Sequence, residues 1–168
     1  MAAMGLHRSG PARRRLRGFT LIEMLVVLAL VGVLAAAARP VLEFSVRRSQ
    51  EFALREALRQ IRTALDAYKR AADEGRIARQ VDDSGYPPDL QALVRGVPDI
   101  KSPNGRKLYF LRRLPRDPFA PGDVAAEDGW ALRAADSGPQ ERRAGRDVFD
   151  VHSRSERRAL DGSLYKDW

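Results

Sequence analysis

Residues 19–38 form an unbroken apolar run of 20 residues, with no Lys, Arg or Asp and a single carboxylate, Glu23. Wound as a helix, the run rises about 30 Å, the thickness of the hydrocarbon core of a bilayer. The 18 residues before it hold five arginines (Arg8, Arg13, Arg14, Arg15, Arg17) and no acid. Basic flanks stay on the cytoplasmic side, which predicts an N-terminus inside and the remainder of the chain outside. An ionised group inside such a run is strongly penalised unless it is paired or kept at the interface. Glu23 therefore calls for a partner.

A secretory signal would be cut behind small residues after the apolar core. Ala35 to Ala38 offers such a site, but Arg39-Pro40 follows at once, and a Pro just beyond a cut is poorly tolerated. The pattern beyond also continues as helix. Leu54, Leu58, Ile61, Leu65, Tyr68 and Ala72 recur every three or four residues, one stripe of an amphipathic helix. Arg55, Glu56, Arg59, Arg62, Asp66 and Lys69 fill the positions between, and Gly75 is the expected stop. The whole helix, residues 19–73, would count 55 residues. It would extend roughly 80 Å at the standard rise. Pro40 removes one backbone hydrogen bond and is expected to bend or loosen it. The half up to residue 44 is apolar all round, which suits lipid and then neighbouring helices. The half after it has only a stripe, which a globular head must cover.

The order Gly18-Phe19-Thr20-Leu21-Ile22-Glu23 resembles the processing motif of type IV pilins and type II secretion pseudopilins. The resemblance implies that a membrane-embedded prepilin peptidase cuts between Gly18 and Phe19 on the cytoplasmic side and methylates Phe19. Gly18, without a side chain, leaves that bond unhindered. Glu23 would then be the fifth residue of the mature chain. Gly32 and Pro40 fall where the family's helix has a Gly and a bend. In a filament, the α-amino group of Phe19 on one subunit would pair with Glu23 of its neighbour and set the axial register. Three parts follow: a cleaved basic leader over 1–18, a transmembrane and assembly half-helix over 19–44, and a periplasmic head over 45–168.

A chain of 168 residues supports one small domain. Loss of the leader takes five of the 30 basic residues and leaves 25 against 22 acidic ones, so the formal charge falls from +8 to +3. The basic balance is then too slight to read as a nucleic-acid signal. With no cysteine, no disulfide staples the head, which leans toward pseudopilins over type IV pilins.

In the head, Gly85-Tyr86-Pro87-Pro88-Asp89-Leu90 turns into a short helix carrying Leu90, Leu93 and Val94. The stretches 108–111, 114–119, 129–133 and 147–152 follow, the last two alternating like strands. The expected class is α+β: a long N-terminal helix packed on a small antiparallel sheet, type IV pilin-like. The order Tyr-Pro, Leu-x-x-Leu, Leu-Pro-x-Asp-Pro-Phe (residues 114–119) and terminal Trp168 is similar to the major pseudopilin of type II secretion. That resemblance implies calcium in the C-terminal loop. Here Arg154, Arg157 and Arg158 stand where a hard cation wants oxygens, leaving Asp147, Asp150 and Asp161 as weak candidates. No cofactor is expected, and Arg–carboxylate pairs with docked Tyr165 and Trp168 are expected to hold the tail.

Asp150, His152 and Ser153 crowd one segment, but strand neighbours point to opposite faces and form no nucleophile–base line. His7, the other histidine, lies in the leader. An enzyme is not expected. The reading is a subunit like the major pseudopilin, single-pass in the bacterial inner membrane with a periplasmic head. Its partners would be itself, other pseudopilins, the prepilin peptidase and an inner-membrane assembly platform, without nucleic acid. The alternative is a minor pilin or pseudopilin of a type IV pilus or DNA-uptake filament, where Arg112, Arg113, Arg116, Arg142, Arg143, Arg146, Arg157 and Arg158 could touch phosphate.

Overall fold

The computed structural model describes residues 18–138 and 141–168, and for 37–41 only the backbone. The leader up to residue 17 and the side chain of Pro40, with the bend expected there, lie outside the described residues.

Helix α1, Leu21–Asp73, runs for 53 residues. Thr20 caps its start: its Oγ1 accepts the Glu23 N–H at 3.2 Å, satisfying one of the donors a first turn leaves free. Its end is set by Gly75, whose φ of +67° is the left-handed conformation a helix stop favours. The Gly75 N–H donates to Ala72 O at 3.0 Å and the Arg76 N–H to Ala71 O at 2.9 Å, the two bonds of a Schellman motif.

The chain divides into two compact units, Met1–Leu42 and Glu43–Trp168. In the first, the described side chains from Phe19 onward are exposed, among them Leu21, Ile22, Leu28, Val33 and Leu34. Among the described residues no helix is long and apolar enough to cross a membrane.

In the second unit the stripe of α1 is the core. Leu54, Leu58, Ile61, Leu65, Tyr68 and Ala72 are all buried, and Ala57, Ala64 and Ala71 broaden the stripe. Each fully buried Leu or Ile contributes about 1.5–3 kcal/mol as an upper figure. Helix α2, Gln91–Arg95, packs Ala92 and Leu93 inward. Asp89 accepts the Ala92 N–H at 2.7 Å and so caps this turn.

The single expected sheet is two separate antiparallel pairs. Strand β1, Val97–Pro98, pairs with β2, Lys107–Leu108. Strand β3, Trp130–Arg133, pairs with β4, Asp150–Ser153, in the register Trp130 opposite Ser153. Proline limits a larger sheet, because Pro98 in β1 and Pro115 in the stretch 114–119 offer no ladder donor. Beyond β2 the chain leaves the sheet altogether. The Phe110 and Leu111 N–H groups both donate to Leu93 O, at 3.0 Å each, docking residues 110–111 on the end of α2. A 3-10 turn, Tyr165–Asp167, closes the chain.

Candidate assembly motif and C-terminal clasp

At the start of α1, Gly18 and Phe19 precede the helix, and a Cβ placed on Gly18 would meet nothing within 4 Å. Phe19 is 71% exposed. Glu23 falls in the first helical turn, where the N–H dipoles favour a negative charge. With Thr20 at the cap, Thr20-x-x-Glu23 is also a capping-box sequence. Gly32 has open space around its Cα, so close approach of another helix meets no side chain there.

The second constellation has the Arg–carboxylate pairs and the docked Tyr165 and Trp168 expected at the tail, on a face of α1 that escaped the sequence. Positions 47, 51, 55, 58 and 62 of α1 are spaced by three or four and share one face. That face grips residues 150–168. An Arg47 amine donates to Arg158 O at 3.0 Å. Glu51, only 4% exposed, accepts the Leu160 N–H at 2.7 Å and the Tyr165 hydroxyl at 2.9 Å. The Arg55 guanidinium lies 4.2 Å from the Trp168 ring centre, and 3.8 Å from an Asp161 carboxylate oxygen. Arg62 donates through Nε to Asp150 Oδ1 at 2.8 Å, and through Nη2 to Val151 O at 3.1 Å and Trp168 O at 3.0 Å.

Tyr165 is fully buried. It stacks on Phe119 at 4.0 Å between ring centres and meets Trp168 edge-on at 5.2 Å. Burial first, and then the Glu51 carboxylate it donates to, push the Tyr165 hydroxyl above the ordinary phenol range. Phe119 is held in place by Asp117, a buried acid in the Leu-Pro-x-Asp-Pro-Phe run. Asp117 Oδ1 accepts the Phe119 N–H at 2.8 Å, and Oδ2 accepts the Ser153 hydroxyl at 2.6 Å. The Trp130 indole N–H donates to Pro115 O at 3.0 Å, fixing the other end of the run. The Asp117-Pro118-Phe119 stretch is thus the seat for the tail's aromatic rings.

The three calcium candidates are dispersed. Asp150 is engaged by Arg62, Asp147 accepts the Ala135 N–H at 2.8 Å, and Asp161 accepts the Ser163 N–H at 2.9 Å and its hydroxyl at 2.6 Å. Those Ser163 bonds lower the Asp161 carboxyl below the ordinary range. Among the described residues no three Asp, Glu, His or Cys side chains gather at one point. A calcium ion takes six to eight oxygens, and these three carboxylates do not supply such a set between them.

The segment 150–153 behaves as strand alternation requires. Ser153 is fully buried with its hydroxyl given to Asp117, while His152 is half-buried on the opposite face. Burial, followed by the charge of Arg142, lowers the His152 imidazole below its ordinary value. Several of the arginines that could touch phosphate have internal partners. Arg116 donates to three carbonyl oxygens, Arg142 to Lys166 O and Asp167, Arg143 to Glu141, and Arg158 to Gly162 O.

A long helix, uncovered over its first half and capped by a small α+β head over its second, is the architecture of a pilin-like subunit. The family model described as a prokaryotic N-terminal methylation motif matches residues 13–38. Type II secretion system core protein G of Vibrio cholerae is 30% identical over 131 residues, covering 72% of this chain and 82% of the relative. The protein of the same name from Pseudomonas aeruginosa is 33% identical over 135 residues, 73% of this chain and 86% of the relative. That of Klebsiella pneumoniae is 35% identical over 112 residues, 63% of this chain and 71% of the relative. No solved structure matches at a comparable level. The chain belongs to the type II secretion system core protein G family, the major pseudopilins.

Proposed function

We propose that this chain is a filament subunit of a type II secretion pseudopilus, which polymerises after its leader is removed and helps export folded proteins. The observation that carries the reading is the apolar half of α1. Its side chains are exposed over residues 19–36, headed by Glu23, and a helix uncovered on every side has to be covered by lipid or by other helices. Residues 19–38 serve first as a single inner-membrane span, N-terminus in the cytoplasm and head in the periplasm, because the run is 20 residues long behind an arginine-rich flank. Prepilin peptidase cuts at the unhindered Gly18 and methylates Phe19. The new amino group then pairs with Glu23 of the adjoining subunit, so that neither charge is left alone among apolar helices.

The partners on this reading are further copies, other pseudopilins and an inner-membrane assembly platform. The chain itself catalyses nothing. Its buried Ser153 gives its hydroxyl to Asp117, and His152 faces the other way. Mass spectrometry of the protein recovered from membranes tests the processing step. The expected N-terminus is methylated Phe19. A leader still attached, or a terminus near Ala38, would contradict it.

A further inference from the structure

We propose that Arg62 supplies, from within the chain, the positive charge that the family resemblance assigns to a calcium ion in the C-terminal loop. The guanidinium gathers oxygens as a bound cation would. It takes one carboxylate oxygen, Asp150 Oδ1 at 2.8 Å, and two carbonyl oxygens, Val151 O at 3.1 Å and Trp168 O at 3.0 Å. Carboxylate and backbone carbonyl are the ligand types a hard divalent cation selects. Here they converge on a planar fork of N–H donors that is charged at every physiological pH.

The same device recurs one loop earlier. Arg116 Nη2 meets Pro121 O at 3.3 Å, Gly122 O at 3.0 Å and Val124 O at 2.8 Å, drawing the 121–124 loop around one nitrogen. Arg47 and Arg158 each hold one more carbonyl of the tail, that of Arg158 and of Gly162 respectively. The acids that a calcium ion would need are spent elsewhere, Asp147 on the Ala135 N–H and Asp161 on Ser163. A cation that is part of α1 cannot dissociate. The loop therefore closes when the head folds, whatever the surrounding calcium concentration, and the clasp joins β4, Trp168 and α1 through one side chain.

Thermal unfolding of the full-length chain in detergent tests this, with millimolar calcium in one arm and a chelator in the other. The unaltered chain is expected to melt within about 2 °C of the same temperature in both arms. Arg62→Ala is expected to lower Tm by about 5–10 °C, and Arg62→Lys to recover less than half of that loss, because one ammonium cannot reach three fixed oxygens. Arg59→Ala is the control. Its exposed side chain bonds only Glu56, and its loss is expected to cost less than about 2 °C. A calcium-induced rise above about 5 °C in the unaltered chain overturns the proposal, as does an Arg62→Ala chain no weaker than Arg59→Ala. Should Arg62→Ala not fold, the two calcium arms on the unaltered chain still decide, and an Arg62→Lys chain that melts with the unaltered one overturns the proposal.

Discussion

Glu51 and Glu23 are both acids of α1, and their surroundings set them apart. Glu51 is buried beneath the tail with the Leu160 N–H and the Tyr165 hydroxyl as its donors. Glu51→Ala leaves the buried Tyr165 hydroxyl and the part-buried Leu160 N–H unpaired and is expected to cost about 2–4 kcal/mol in chemical denaturation. Amide exchange at Leu160 should accelerate in parallel; unchanged exchange would show that the tail is held by other contacts. Glu23 instead stands exposed in the first turn, where Thr20 caps the helix and the dipole welcomes its charge. Glu23 stood out in the sequence because a carboxylate in an apolar run is conspicuous. Glu51 was not, because it sits among other charges of an amphipathic helix, and only the folded tail distinguishes the position from Glu56 or Asp66.

Among the elements, α1 was legible nearly to its ends, since its stripe and Gly75 stop are local features of the sequence, while the Thr20 cap emerged only from the structure. The strands were not. Alternation in residues 129–133 and 147–152 marked β3 and β4, but 108–111 and 114–119 owe their shape to distant partners, the Leu93 carbonyl and the Ser153 hydroxyl. The clasp face was hidden for the same reason. Arg62 and Arg55 read as solvated positions until residues 150–168 return across the helix.

Strand β4 also carries a pH dependence. His152 titrates below the ordinary 6.5 because burial, then Arg142, oppose its charge. The unfolded chain thus binds the proton first. Stability is whole above that ordinary value and declines as the pH falls through the lowered folded one. Replacing His152 with Gln is expected to flatten the change in Tm between roughly pH 7 and pH 5. An unaltered slope would place the effect on other groups.

At the scale of the whole molecule, the two units divide the work. The unit Glu43–Trp168 has an interior of its own, built on Leu54, Ile61, Leu65, Trp130 and Tyr165 and tied by polar contacts to α1. The apolar half-helix in Met1–Leu42 has no such cover within the described residues, and its Leu21, Leu28 and Leu34 are exposed, the surface that the proposed function gives to lipid and sister subunits. Composition alone pointed elsewhere: the charge of +8 suggests an anionic partner, until the five leader arginines are set aside and many of the rest prove engaged on carbonyls and carboxylates. On the proposed function, the charge of Glu23, rather than its service to the helix cap, drives assembly. Glu23→Gln separates the two, since glutamine keeps the capping-box chemistry and loses the charge. Sedimentation and electron microscopy of filaments from cells making this variant is the most direct measurement. Processed, membrane-held, folded monomer and no filaments is the expected result, whereas filaments of ordinary number and length would refute the pairing role of Glu23.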